Sequence, residues 1–77
     1  MIFLIEYNRQ KERVIKFKKF RNYDRLKAKK KRIEIELDLN HRKVNHEVVL
    51  LEAATENRLR QTHRRYFKSL EKALSDI

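Results

Sequence analysis

The sequence predicts a small α+β domain in which the elements follow the order ββαβα, with two helices packed on a three-stranded sheet. Three observations predict this class. Two short segments near the start have the apolar, β-branched and aromatic composition of strands, and residues 47–54 resemble them. Apolar residues recur at helical spacing after the second and third of these segments. A chain of 77 residues is long enough for one domain at most, which predicts a single domain over 1–77.

The first two strands are predicted to form a hairpin. Residues 2–7 (IFLIEY) carry apolar side chains at both even and odd positions, which is typical of a central strand covered on both faces. In residues 13–20 (RVIKFKKF), apolar side chains alternate with lysines. The NRQKE segment between them suits a hairpin loop. Because the chain has no glycine, we expect Asn8 to take any left-handed conformation there.

The first helix is predicted to begin at Asn22 or Asp24, since either side chain can cap it, and to include IEIELDL at 33–39. Taken alone, that alternation also permits a strand. A helix is favoured because its residues are good helix formers and because an upstream apolar stripe continues through it in phase. This stripe consists of Tyr23, Leu26, Ile33, Leu37 and Val44, with Lys30 and Asn40 as polar members.

A second apolar stripe lies roughly opposite on the same helix. It consists of Ala28, Ile35 and Leu39. A helix with two apolar sides needs two neighbours, for instance the sheet on one side and another subunit on the other. Charged pairs at i,i+4 support the helix, namely Arg32–Glu36, Lys30–Glu34 and Asp38–Arg42.

Residues 47–54 (EVVLLEAA) form an apolar run typical of a buried strand, and Thr55 is suited to cap a final helix over 56–77. The helix face expected on the sheet consists of Leu59, His63, Tyr66, Phe67, Leu70, Ala73, Leu74 and Ile77. The crossover connection predicts both helices on one face of the sheet. The other face would then need cover, which favours a homodimer.

Positive charge is concentrated in one third of the chain. Residues 9–32 hold 13 basic and 2 acidic residues, a net of +11, whereas the whole chain carries +10. Lysines crowd the N-terminal half of the first helix, where the helix dipole favours anions, so a bound polyanion would relieve an unfavourable arrangement. The candidate nucleic-acid-binding residues are Lys16, Lys18, Lys19, Arg21, Arg25, Lys27, Lys29, Lys30, Lys31 and Arg32.

The main functional prediction is therefore a small basic protein, acting as a homodimer, that contacts the phosphate backbone of RNA or DNA through residues 16–32. The alternative is a protein-interaction subunit. In that hypothesis, the Ala28/Ile35/Leu39 stripe docks a partner helix while the basic block meets an acidic surface. A run such as KAKKKR is also compatible with a solvated helix face that only keeps the protein soluble.

Little in the sequence favours an enzyme, a cofactor or a metal. The chain has no cysteine and no glycine, which excludes thiol nucleophiles and glycine-rich phosphate loops. His41 and His46 lack a second pair at ligand spacing and are predicted to be solvated loop residues. A minor hypothesis is a small ribonuclease or toxin-like enzyme using His63 and Tyr66 as an acid–base pair, although their apolar helix face favours core packing.

The start of the chain, MIFLIEYN, resembles neither a signal peptide nor a membrane helix. A signal peptide has a charged leader, and a membrane helix needs about 20 apolar residues. The absence of cysteine fits a reducing compartment. The sequence therefore predicts a cytoplasmic protein without membrane association.

Overall fold

The computed structural model describes residues 1–67, which form one antiparallel sheet and two helices. The strands are β1 (Ile2–Asn8), β2 (Arg13–Phe20) and β3 (Glu47–Glu52), in the spatial order β2-β1-β3. The helices are α1 (Arg25–His41) and α2 (Glu56–Thr62), and short 3₁₀ turns occupy Asn22–Asp24 and Arg64–Tyr66. The predicted fold class and the ββαβα order are confirmed.

Strand β1 is central, as its apolar pattern predicted. It pairs antiparallel with β2 along one edge and with β3 along the other. All of its residues from Ile2 to Tyr7 are buried, although Glu6 is charged. Because successive strand residues point to opposite faces, β1 contributes to a core on each side of the sheet.

The two helices cover opposite faces of the sheet, so the prediction that both lie on one face is wrong. On the α1 side, Ile35 and Leu39 pack with Leu4 of β1. On the α2 side, Leu59 packs with Phe3 and other odd-numbered residues of β1. With a helix on each side, the need to cover a bare sheet face no longer argues for a dimer.

Helix α1 packs on the sheet through the shorter of its two apolar stripes. We call this the inner face: Ala28, Ile35 and Leu39 are 0%, 7% and 4% exposed. The alternative hypothesis that this stripe docks a partner is therefore wrong, since the sheet of the same chain already occupies it.

The apolar residues of the longer stripe that lie within α1 face away from the sheet, whereas Val44, which follows the helix, packs against the core beneath it. Leu26, Ile33 and Leu37 are 66%, 55% and 64% exposed. Together with Lys30 they form what we call the outer face. Burying this stripe on the sheet would strip water from the Lys30 ammonium and the Asn40 amide, and neither group has a hydrogen-bond partner to offset that loss within residues 1–67.

The loop of the β1–β2 hairpin differs from the prediction in which residue takes the left-handed conformation. Glu12, and not Asn8, takes the left-handed conformation, with φ of 50°. The Asn8 side-chain oxygen instead accepts hydrogen bonds from the backbone N–H groups of Gln10 (3.1 Å) and Lys11 (3.2 Å). This is the usual way in which asparagine stabilises a turn without left-handed backbone.

The two helices begin differently. Thr55 caps α2 as predicted, because its hydroxyl oxygen accepts a hydrogen bond from the Arg58 N–H at 3.1 Å. Asp24 precedes α1 at the capping position, but its side chain makes no capping hydrogen bond. Asn22, the other predicted cap, lies in the 3₁₀ turn before α1.

Helix α2 ends at Thr62, so the prediction of a continuous helix is wrong at His63, where the backbone leaves helical values (φ −124°, ψ 53°). The break lets the next two aromatic residues both enter the core. Tyr66 packs edge-on against a β1 tyrosine at 5.1 Å, and Phe67 packs against a β2 phenylalanine at 5.9 Å. The predicted positions Leu70, Ala73, Leu74 and Ile77 lie outside the described residues.

Candidate nucleic-acid interface

Strand β2 divides the predicted basic residues between the two faces of the sheet. Lys19 pairs with Phe3 in the strand register, so it faces the α2 side, where its ammonium contacts Glu56 at 2.9 Å. Lys16 and Lys18 pair with the even-numbered residues of β1 and therefore share a face with α1. The predicted single basic corner is thus divided.

Helix α1 divides its predicted basic residues, apart from Lys30 on the outer face, between its two flanks. Toward β3, Arg25, Lys29 and Arg32 line a cleft of about 440 Å³. Toward β2, Lys31 lines a second cleft of about 320 Å³ together with Lys16. Lys27 lies one helical turn before Lys31 and so belongs to the β2 flank.

Half of the ten predicted residues already contact a carboxylate. The pairs are Lys19–Glu56, Arg25–Glu52, Lys27–Asp24, Lys31–Glu34 and Arg32–Glu36. Of the predicted i,i+4 pairs, Lys30–Glu34 is replaced by Lys31–Glu34 at 3.8 Å, while Arg32–Glu36 and Asp38–Arg42 form at 2.9 Å. Within residues 1–67, the predicted site residues without a salt bridge are Lys16, Lys18, Arg21, Lys29 and Lys30.

The most continuous unpaired charge follows the open edge of β2. Lys16 and Lys18 are two residues apart on one face of the strand, a separation of about 7 Å along the chain. The Lys18 ammonium lies 5.2 Å from the centre of the Phe20 ring, a cation–π distance. Glu34 and Asp38 line the same cleft as Lys16, so the positive potential weakens toward the C-terminal end of α1.

Beyond the end of β2, an exposed aromatic ring joins this edge. The Arg21 guanidinium donates a hydrogen bond to the Tyr23 hydroxyl at 2.7 Å and lies 5.9 Å from the ring centre. Tyr23 is 76% exposed. The sequence pattern assigned Tyr23 to the apolar stripe of α1, whereas the structure places it in the turn before the helix. An exposed tyrosine beside a cation is suited to stacking on a nucleobase.

His41 and His46, which the sequence predicted to be solvated loop residues and not metal ligands, have separate environments. His41 is exposed at the last residue of α1. His46 is not the solvated loop residue predicted from the sequence, because its Nδ1 lies 2.7 Å from the buried Glu6 carboxylate. Among residues 1–67, no group of three or more histidine, cysteine, aspartate or glutamate side chains is arranged to hold a metal ion.

Tyr66, the acid–base candidate next to His63, is part of the core. The two rings are 6.5 Å apart between their centres. The Tyr66 hydroxyl donates a hydrogen bond to Glu47 at 3.0 Å and accepts one from Arg65 at 2.9 Å. Burial raises the pKa of Tyr66 above its ordinary value. These contacts and its burial account for the position of Tyr66 without a catalytic role. The ribonuclease hypothesis stays a prediction.

Comparison with protein-family models, curated proteins and solved structures found no match to the chain. Neither α1 nor α2, the helices described within residues 1–67, is long and apolar enough to span a bilayer. A functional conclusion therefore rests on the arrangement of charge and exposed apolar surface.

Proposed function

We propose that the protein binds the phosphate backbone of nucleic acid along the open edge of β2, with single-stranded RNA or DNA as the ligand that fits best. One observation carries the proposal: Lys16 and Lys18 point to the same face of an edge strand, and neither forms a salt bridge within residues 1–67. Lysines that form no salt bridge can contact phosphate without first breaking an ion pair, and binding releases the counterions of the nucleic acid.

The turn after β2 supplies the second element of a single-strand site. Arg21 and Tyr23 continue the path of the lysines and present a cation and an aromatic ring to solvent. Proteins that bind single strands combine a basic track with aromatic side chains on which bases stack. Duplex nucleic acid keeps its bases stacked on one another, so Tyr23 favours an unpaired strand.

The salt dependence of binding tests this proposal. Fluorescence anisotropy with labelled single-stranded RNA, single-stranded DNA and duplex DNA gives the dissociation constant at several salt concentrations. We expect Lys16→Glu/Lys18→Glu to weaken single-strand binding and to lower the slope of log K against log salt by about 1 to 2. Arg58→Glu/Arg64→Glu makes the same change in net charge on the α2 side, where neither arginine has a salt bridge within residues 1–67.

The two charge-matched variants give a clear decision. If the Arg58/Arg64 variant keeps the wild-type slope, binding is localised to the β2 edge. An equal loss in both variants would show that the attraction is diffuse and would refute the site. Tyr23→Ala separates the aromatic contribution, since we expect it to weaken single-strand binding and leave the salt slope unchanged, while Tyr23→Phe retains the ring and the affinity.

A second candidate function, association with a protein, is favoured by the outer face of α1. Three large apolar side chains are exposed on one side of a single helix, and such clusters mark interaction sites more often than isolated exposed residues do. The homodimer predicted from the sequence is one form of this association. The cytoplasmic location stays a prediction. Because Lys16 and Lys18 lie on β2, variants on the outer face of α1 separate the two functions.

A further inference from the structure

We propose that two copies of the protein pair through the outer faces of their α1 helices in antiparallel orientation. The apolar positions Leu26, Ile33 and Leu37, together with Lys30, follow one another at intervals of four, three and four residues. That spacing is the seam of a helix pair that packs knobs into holes. The inner face of the same helix lies against the sheet, so the seam lies on the opposite side of the helix, with Ile33 at the rim of the α1–β3 cleft.

The residues that face each other across this seam are complementary only when the two helices run in opposite directions. In antiparallel pairs, an a position packs against a d position of the other helix. Leu26 of one copy then meets Leu37 of the second copy, and Lys30 meets Ile33 of the second copy. The Lys30 stem can lie along the isoleucine while its ammonium reaches water. Each of these contacts occurs twice, with the roles of the two copies exchanged. The interface therefore has two-fold symmetry and forms a closed dimer.

The charges that flank the seam identify a second copy as the occupant. The N-terminal half of α1 is basic, whereas Glu34 and Glu36 follow in its C-terminal half. In the antiparallel register, Lys27 lies beside Glu34 of the second copy. On the other flank, Lys29 lies beside Glu36 of the second copy. Two molecules of net charge +10 repel each other, so association needs local attraction of this kind.

A parallel pair lacks this complementarity along most of its length. It would place Lys30 against Lys30 of the second copy within the seam, and the basic N-terminal half of one helix beside that of the other. A positive charge opposed by its own copy inside a helix interface is strongly unfavourable. The sequence of α1, basic then acidic, is therefore suited to the reversed arrangement.

The paired helices leave the proposed nucleic-acid edge accessible. Lys16 and Lys18 project from β2, whereas the seam lies on the side of α1 that points away from the sheet. The contact is limited to one helix of about 25 Å from each copy, so we expect a dissociation constant in the micromolar range. Dimerisation does not rest on nucleic-acid binding, and each can fail without the other.

Sedimentation equilibrium of the full chain tests the dimer. We expect wild-type protein to associate, and Ile33→Lys to raise the dissociation constant at least tenfold by setting a second cation against Lys30 of the other copy. Ile15→Lys, at an exposed isoleucine of β2, is the matched control and keeps the wild-type constant. Circular dichroism checks that both variants stay folded. A wild-type monomer at 100 μM, or a loss of association no greater for Ile33→Lys than for Ile15→Lys, overturns the proposal.

Disulfide cross-linking tests the orientation, and the absence of native cysteine makes the result unambiguous. In the double variant Leu26→Cys/Leu37→Cys, an antiparallel pair joins position 26 of one copy to position 37 of the other. Eleven residues of helix separate the two positions by about 16 Å within one chain, too far for an internal disulfide. Mass spectrometry of the digested dimer identifies the joined peptides. A 26–37 link supports the proposal, whereas 26–26 and 37–37 links, or no cross-linked dimer, overturn it.

Discussion

The inner and outer faces of α1 are chemically similar, yet only one of them is buried in the protein's own core. Each face carries three apolar residues at helical spacing. Along the inner face, Lys31 and Arg32 follow Ala28 but lie on opposite flanks of the helix, whereas Lys30 stands within the outer face and Asn40 follows it in the same stripe. The difference shows that the polar residues within a stripe, and not its number of apolar residues, decide which side of a helix packs on a sheet.

The largest expected effect on stability comes from comparing two leucines of α1, one on the inner face and one on the outer face. Leu39→Ala removes a buried side chain from the inner face and should lower the free energy of unfolding by about 2–5 kcal/mol. Leu37→Ala removes the same atoms from the outer face and should cost less than about 1 kcal/mol. Urea denaturation at submicromolar protein, where the proposed dimer has dissociated, measures both. Equal losses would contradict the division of α1 into two faces.

The next test extends the comparison to the two histidines near the end of α1. His46→Ala removes the hydrogen-bond partner of the buried Glu6 carboxylate beneath α1, and it should lower the free energy of unfolding by about 1–3 kcal/mol. His41→Ala acts on an exposed residue and should change it by less than about 0.5 kcal/mol. The same denaturation experiment measures both. If His46→Ala were as mild as His41→Ala, water would be solvating Glu6 in place of the imidazole.

Most of the fold could be predicted from the sequence because its local patterns agree with one another. The two-sided apolar composition of 2–7 identified the central strand, and the in-phase stripe identified 33–39 as helix. Which stripe of α1 faces the sheet was not predicted, although the polar residues Lys30 and Asn40 within the longer stripe distinguish the two. The break at His63 was not readable, because it depends on aromatic partners in β1 and β2.

The candidate site was predicted less completely than the fold. The alternation in β2 correctly placed Lys16 and Lys18 on one face, because strand periodicity is local. The division of the α1 cations between two flanks depends on where the helix crosses the sheet, which no local pattern contains. The ion pairs of Lys19 and Arg25 join residues far apart in the chain, so they too required the tertiary structure.

The smallest expected effect concerns the β3 flank of α1, where an exposed ion pair ties the helix to the edge strand. Arg25 donates a hydrogen bond to Glu52, and its positive charge adds to that bond, so the pKa of Glu52 lies below the ordinary 4.5. A lowered carboxyl pKa contributes stability above pH 4.5 that is lost as the pH falls through the pKa of the folded state. Because both side chains are exposed, solvent screening keeps this contribution small.

An NMR titration of the Glu52 carboxyl measures this contact without relying on a small stability difference. We expect Arg25→Gln to return the pKa of Glu52 toward 4.5 and to remove the part of the pH dependence of stability that lies below that value. Lys29→Gln removes a neighbouring cation that lines the same cleft without pairing to Glu52, so it should leave the titration nearly unchanged. An equal rise in both variants would mean that the general positive field of α1, and not the contact with Arg25, holds the carboxylate ionised. The β3 flank of α1 would then be a positively charged surface that other anions could also bind, and no specific ion pair would connect α1 to β3.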